Sequence, residues 1–232
     1  QSIIFSLQMD INLLHHNQIN LYTSTERNYK MYEGDQWYGM KNGDTLPCHN
    51  VIKQTNYAMK NDVEFANKVN RYIDDGQEYH GEAEVLHYLE MLRDKVGFDN
   101  LKQKVVNSLK GKKIAPYYGC LLLRPSNVLA MDDPENPKIM ENFISALGGT
   151  PVIYARRNEC CGGYITLESP ELSKKKSNDV VNNAKSQGAE MIITACPLCK
   201  YNLEKNGADI PVVYITEILA ECLGIKEVVY GK

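Results

Sequence analysis

From residue 112 onward, short apolar runs alternate with amphipathic helical stretches, and this alternation constrains the fold of the 232-residue chain more than any other feature. The run 113–118 (KIAPYY) ends at Gly119. Asn136-Pro137 then opens a helix, proline being suited to a first helical position. Ile139, Phe143, Ile144 and Leu147 line one face of that helix and Gly148 closes it. Residues 151–154 (PVIY) read as the next strand. Ser169-Pro170 starts another helix, with Leu172, Val180 and Ala184 near one face and Gly188 past its end. Residues 190–194 (EMIIT) and 211–214 (PVVY) give a third and a fourth strand. Thr216 caps a last helix bearing Ile218, Leu219, Cys222 and Leu223, ended by Gly224. Strands that alternate with helices predict an α/β fold: a mostly parallel sheet with covering helices.

Residues 49–110 carry a different pattern. Asp62 can cap a helix with Phe65, Val69 and Ile73 spaced by four. Val85, Leu86, Leu89, Leu92 and Val96 make a second amphipathic stripe closed by Gly97, and Asp99 opens a third with Leu101, Val105 and Leu109. This predicts a helical region before the sheet. Residues 1–47 are rich in Asn, Gln and Tyr, sustain no period, and are left unassigned.

The strand reading places the cysteines. Cys120 follows the first strand, Cys160-Cys161-Gly162 the second, and Cys196-Pro197-Leu198-Cys199 the third. In a parallel sheet these ends share the carboxyl edge, where open α/β sheets build their sites. Thirty-nine residues separate Cys120 from Cys160, and thirty-three separate Gly162 from Cys196. Thiolates grouped this way read as metal ligands before they read as disulfides. Adjacent cysteines close a strained disulfide ring, and their side chains diverge too far for one zinc. They suit different irons of one cluster, or a sulfur bridging two irons. Gly162 and Gly163 let the backbone pass close to an inorganic core and offer it N–H groups. The helix that starts at the CxxC turn would aim its N–H groups at the thiolates and lower their pKa.

Other readings stand beside this one. A CxxC after a strand also suits a thioredoxin-like dithiol, which leaves three cysteines unused. A structural zinc takes four ligands, one fewer than the five available, whereas a multi-iron cluster can use them all. Cys222 falls on the apolar face of the last helix and reads as a packed core thiol. His15, His16, His49, His80 and His87 show no ligand spacing. Arg156-Arg157 either balance cluster charge or lie on the surface.

Composition excludes several classes. The formal net charge of -3 lacks the basic excess of a nucleic-acid binder. The basic runs 110–113 and 174–176 read as solvated surface. No apolar run reaches the roughly eighteen residues of a membrane span. Seven cysteines, an odd number, fit a closed disulfide framework badly. A reducing, cytoplasmic compartment is therefore expected.

The pattern of one Cys, a Cys-Cys-Gly and a CxxC resembles the cysteine-rich repeat found in the B subunits of the heterodisulfide reductase family. The stretches 118–126 (YGCLLLRPS) and 132–137 (DDPENP) strengthen the likeness, which runs from about Cys48 to Lys232. The resemblance implies two such repeats in an α/β fold, each holding a non-cubane [4Fe-4S] cluster on five cysteines. It implies Cys120, Cys160, Cys161, Cys196 and Cys199 as the metal ligands and, through the cluster, the catalytic residues of the second repeat. It also implies reduction of a disulfide (the coenzyme M–coenzyme B heterodisulfide or a bacterial counterpart). The implied partners are the flavin-bearing A-type and the ferredoxin-like iron–sulfur C-type subunits of the same reductase. A non-catalytic electron-transfer subunit and a zinc-bound structural module are the alternatives. The implied domains are residues 1–47 as a degenerate remnant of a first repeat, 48–110 as its helical end and a connector, and 111–232 as the second, cluster-binding domain. Cys48-His49-Asn50 aligns with Cys199-Lys200-Tyr201, but Thr45 stands where the first cysteine of that CxxC belongs, and no Cys-Cys-Gly precedes it. One cluster in this chain is the expectation; real divergence, a truncated chain and a wrong reading frame before about Thr45 are the three explanations, the abrupt gain of family-like sequence near Cys48 favouring the last.

Overall fold

The structure is a computed structural model that describes residues 46–73 and 78–225. The expectations for residues 1–45, including the reading-frame one, lie outside the described residues. The chain divides into two compact units, Gln1–Tyr88 and Leu89–Lys232.

In the first unit, α1 (Leu46–Asn61) and α2 (Val63–Ile73) pack against each other. Asp62 separates them and caps the second: its Oδ1 accepts a hydrogen bond from Phe65 N at 2.9 Å. Cys48 is the third residue of α1. Residues 78–87 are non-helical and are tied down by two asparagines. The Asn70 amide both donates to Tyr79 O and accepts from Tyr79 N, each at 3.0 Å. Asn56 Nδ2 donates to Ala83 O at 3.0 Å. These ties overrule the helical spacing of Val85 and Leu86, which lie in non-helical chain rather than on the expected stripe. The rings of His49 and His87, both buried, meet edge to face with centroids 5.2 Å apart.

A short helix α3 (Tyr88–Met91) runs into a π-helical turn, Leu92–Val96. Gly97, at φ +80°, closes that turn by donating from its N–H to Leu92 O at 2.9 Å. Helix α4 (Phe98–Lys104) stops short of Leu109 because Val105 turns extended. Asp99 is the second residue of this helix and not its cap.

The sheet of the second unit consists of β1 (Lys113–Tyr117), β2 (Thr150–Pro151), β3 (Met191–Thr194) and β4 (Val212–Tyr214). All pairings are parallel, in the order β2-β1-β3-β4. Ile114, Ala115, Tyr117, Ile192 and Ile193 are fully buried, as expected for a sheet covered on both faces. The covering helices are α5 (Ser126–Leu129), α6 (Ile139–Ala146), α7 (Pro170–Ser186), α8 (Pro197–Lys205) and α9 (Ile215–Cys222). Helix α7 shows its buried face at Ser173, Ser177, Val180, Val181 and Ala184, one stripe of helical period.

Three boundaries differ from expectation. The PVIY run yields a single strand residue, Pro151: β2 (Thr150–Pro151) is an edge strand paired to β1 alone, and Ile153 is exposed. Helix α6 begins at Ile139, because Asp132 Oδ2 accepts from the N–H groups of Lys138 and Ile139 at 2.6 and 2.7 Å and sets its start there. Helix α9 is capped by Tyr214 and not Thr216, with Glu217 Oε2 accepting from Tyr214 N at 2.8 Å.

Strand order positions the site. The chain leaves β1 in one direction to reach β2 and returns past β1 to reach β3. The crevice between β1 and β3 is thus the switch point of the sheet. Their last paired residues are Tyr117 and Thr194, so Cys120 and Cys196 emerge side by side.

Candidate metal centre

Five of the six cysteines of the second unit gather at this carboxyl edge. Cys161 Sγ lies 3.6 Å from Cys199 Sγ. Cys120, Cys160, Cys161, Cys196 and Cys199 are close enough for the charge of each to act on others of the group. Cys161, Cys196 and Cys199 are buried, whereas Cys120 and Cys160 are partly exposed. The group therefore has a sheltered side and a side open to solvent. Cys222 lies apart from it, fully buried on the core face of α9.

Three local devices aim the sulfurs. Cys196 is the N-cap of α8 with Pro197 at the first helical position, and its sulfur accepts from Cys199 N at 3.4 Å. Gly162, at φ +83°, donates its N–H to Cys160 Sγ at 3.3 Å, and the Gly163 amide serves Cys161 in the same way. Gly119, at φ +65°, leaves a space beside Cys199 that a side chain would fill: a β-carbon there would lie 3.1 Å from Cys199 Sγ. Such amides stabilise anionic sulfur.

The electrostatics follow from the packing. The hydrogen bond from the Cys120 thiol, then that from Cys161 and the Gly162 amide, hold the Cys160 thiol well below its ordinary range. Its partner Cys120 is pushed up by that same bond and by burial. Cys196 is lowered chiefly by Cys199, while Cys199 is raised by its bonds with Cys161 and Cys196 and by burial. A set like this ionises partway alone and releases its remaining protons only to a group of high positive charge. Among the described residues, no three Cys, His, Asp or Glu are arranged to hold one metal ion.

Several supporting residues had no signal in the cysteine motifs. Tyr117 Oη donates to Glu159 O at 2.7 Å and Tyr118 N donates to Arg157 O at 2.8 Å, stapling the loop before Cys160 to the end of β1. Arg157 is buried, not on the surface, and pairs with Glu141 at 3.1 Å; Tyr118 Oη donates to the other oxygen of that carboxylate. Arg156 lies outside and pairs with Glu159 at 2.7 Å. Tyr164, largely exposed, stands near Cys196, Cys120, Cys199 and Cys160, close enough for their charge to raise its phenol pKa further after burial has done so. Behind Cys161 lies a buried cluster of Ser173, Ser177 and Asn202. Its signal was available: Ser173 and Ser177 share the helical stripe of Val180 and Ala184, where small polar residues mark a buried hydrogen-bonded seam.

A parallel sheet with a Cys-Cys-Gly loop and a CxxC helix start at one edge defines a cysteine-rich domain of the CCG type, and the family model for that domain matches residues 114–204. Three curated relatives align with much more of the chain. A protein of Archaeoglobus profundus, named as similar to the heterodisulfide reductase B subunit, is 30% identical over 76% of this chain and 64% of its own. The B subunit of the ferredoxin/F420H2-dependent CoB-CoM heterodisulfide reductase of Methanosarcina acetivorans is 31% identical over 77% of this chain and 64% of its own. The 8-methylmenaquinol:fumarate reductase membrane anchor subunit of Wolinella succinogenes is 30% identical over 68% and 59%. The chain is thus similar to heterodisulfide reductase B subunits over about three quarters of its length, and residues 114–204 form a CCG cysteine-rich domain. It spans less than two thirds of the length of these relatives. No helix among the described residues is long and apolar enough to cross a membrane.

Proposed function

We propose that Cys120, Cys160, Cys161, Cys196 and Cys199 hold one non-cubane [4Fe-4S] cluster, and that the chain acts through it in reducing a small-molecule disulfide such as the coenzyme M–coenzyme B heterodisulfide or a bacterial counterpart. The observation that carries this is the gathering of five thiols at one sheet edge, with Cys161 and Cys199 3.6 Å apart, buried at Cys161, Cys196 and Cys199 and open at Cys120 and Cys160. Such a cluster, when bound, supplies single electrons, and cleaving a disulfide consumes two. The chain's own residues divide the remaining work. Amides of Gly162, Gly163 and Cys199 donate to the sulfurs and favour their anionic form. The partly exposed end at Cys120 and Cys160, beside Tyr164, is where a substrate sulfur can approach.

In this reading residues 111–232 form the second cysteine-rich repeat, and 48–110 the helical end of a first repeat and its connector. Cys48 then corresponds to Cys199, and each is the third residue of its helix. The partners are a flavoprotein like the reductase's A-type component and an iron–sulfur protein like its C-type component, and the compartment is the cytoplasm. Similarity to the Wolinella protein favours a second reading, an electron-transfer component serving a different oxidoreductase. Anaerobic reconstitution tests the site: about four irons per chain, with an iron–sulfur spectrum lost in Cys160→Ser and Cys161→Ser, supports it. A colourless protein holding zinc overturns it. Disulfide reduction by the complex assembled with its partners separates the catalytic reading from the electron-transfer one.

A further inference from the structure

We infer that Asn202 and Ser177 are positioning residues that lock the Cys161–Gly162 peptide in one orientation, and that this orientation sets the electron affinity of the cluster held by Cys160. The second clause rests on the cluster reading above. A trans peptide carries its carbonyl and its N–H on opposite sides. On one side, Cys161 O accepts from Asn202 Nδ2 at 2.9 Å and from Ser177 Oγ at 3.0 Å. On the other, Gly162 N–H donates to Cys160 Sγ at 3.3 Å. What holds the carbonyl therefore also aims the amide at the sulfur.

The partners of Ser177 and Asn202 set the direction of the hydrogens that reach Cys161 O. Ser177 Oγ accepts from Asn202 Nδ2 at 3.0 Å and from Asn206 Nδ2 at 3.1 Å. With both lone pairs engaged, its single proton goes to Cys161 O. Asn202 Oδ1 accepts from Ser173 Oγ at 3.3 Å, and turning the amide over would set its oxygen against the oxygen of Cys161. Asn202 and Ser177 are almost wholly buried, so water cannot substitute for either. The Gly162 backbone is confined from the other face: a β-carbon there would lie 2.9 Å from Ser173 Cα. Rotating the peptide would strip two buried donors of their acceptor and one sulfur of its amide.

An N–H donated to a cluster sulfur stabilises the more electron-rich state and raises the reduction potential. Releasing the peptide should lower it. Two measurements on the full chain test this. In the metal-free protein, Gly162 amide exchange followed by NMR should accelerate at least tenfold in Ser177→Ala and Asn202→Ala. In the reconstituted protein at matched iron content, both variants should reduce the equilibrium constant for one-electron reduction about three- to tenfold, the upper figure being ~59 mV. Ser186→Ala, on the same helix as Ser177 but bonded only to Asn183 O and Gln187, should change it less than twofold. Should Asn202→Ala fail to fold, the milder Ser177→Ala carries the test. Unchanged exchange in Ser177→Ala overturns the lock. Accelerated exchange with an unchanged potential overturns its effect on the cluster. A wild-type chain that takes up no iron overturns the cluster reading and the electron-affinity clause with it, while the exchange result still decides the lock.

Discussion

Arg157 Nε lies 3.1 Å from Glu141 Oε1, with the side chains only 8% and 9% exposed. The contact is an ion pair rather than an aligned hydrogen bond, and the rest of the guanidinium is used elsewhere: Nη1 donates to Tyr154 O at 3.0 Å and Nη2 to Asn136 Oδ1 at 2.7 Å. Burial raises the Glu141 carboxyl above its ordinary range, against the opposing pull of Tyr118 and Arg157. Removing one partner strands the other. Arg157→Met should therefore cost about 3–5 kcal/mol. Adding Glu141→Gln should recover a large part of that loss, as read by denaturant unfolding of the two variants. Equal stability of the single and double variants would contradict the pairing.

The thiols divide into two classes with different outcomes. Cys160→Ser removes one of the five donors and should abolish iron binding after reconstitution. Cys222→Ser places a hydroxyl on a fully buried apolar face, costing about 1–3 kcal/mol, and should leave the iron count and visible spectrum intact. Loss of iron in the second variant would remove Cys222 from the core-thiol class.

Gly119 combines φ +65° with a β-carbon position 3.1 Å from Cys199 Sγ. Gly119→Ala is therefore strained in backbone and crowded at the sulfur, and should destabilise the fold by more than ~1 kcal/mol. It should also lower iron occupancy, because the displaced atom is a donor. Gly207→Ala makes a matched comparison: φ is +90° and nothing lies within 4 Å of the added carbon. Its effect should be confined to stability. Iron uptake at the wild-type level in Gly119→Ala would deny the close approach any role at the site.

His49 is buried beside His87, and burial, followed by the charge of Lys53, lowers its pKa from 6.5 to about 4. Burial also lowers His87, with His49 and Lys53 adding to the effect. Both rings are thus neutral when folded and bind protons more readily when unfolded. Their contribution to stability is complete above pH ~6.5 and is lost as pH falls toward and through 4, with a slope of up to ~1.4 kcal/mol per pH unit for each ring. Unfolding free energies measured across that window should fall less steeply in His87→Asn than in the wild type. Parallel slopes would show that the pair does not titrate with folding.

What the sequence made legible tracks what is local. β1, β3 and β4 are short runs of apolar and β-branched residues bounded by Gly or Pro, and all three stand where the pattern put them. The capping aspartate Asp62 is equally local. PVIY failed as a full strand because its partner count, one neighbour at a sheet edge, is a property of topology and not of the residues. Val85 and Leu86 failed as helix because Asn56 and Asn70, distant in sequence, hold that segment out of helix. At the site, the convergence of five cysteines on one edge could be read from three strand ends. The hydrogen bonds behind them could not. Asn202 on a helix looks like a solvated residue until α7 places Ser177 3.0 Å from it, and Arg157 beside a reactive loop looks like a surface cation until Glu141 is found beneath it.

The depth gradient along the thiols has an evolutionary corollary. The sheltered pair, Cys196 and Cys199, belongs to a single helical turn, whereas the solvent-facing pair, Cys120 and Cys160, comes from two separate loops. The Cys120 loop carries no sheltered thiol, so its length can change while the anchoring turn keeps its shape. The Cys160 loop also carries buried Cys161 and ties the doorway to the foundation.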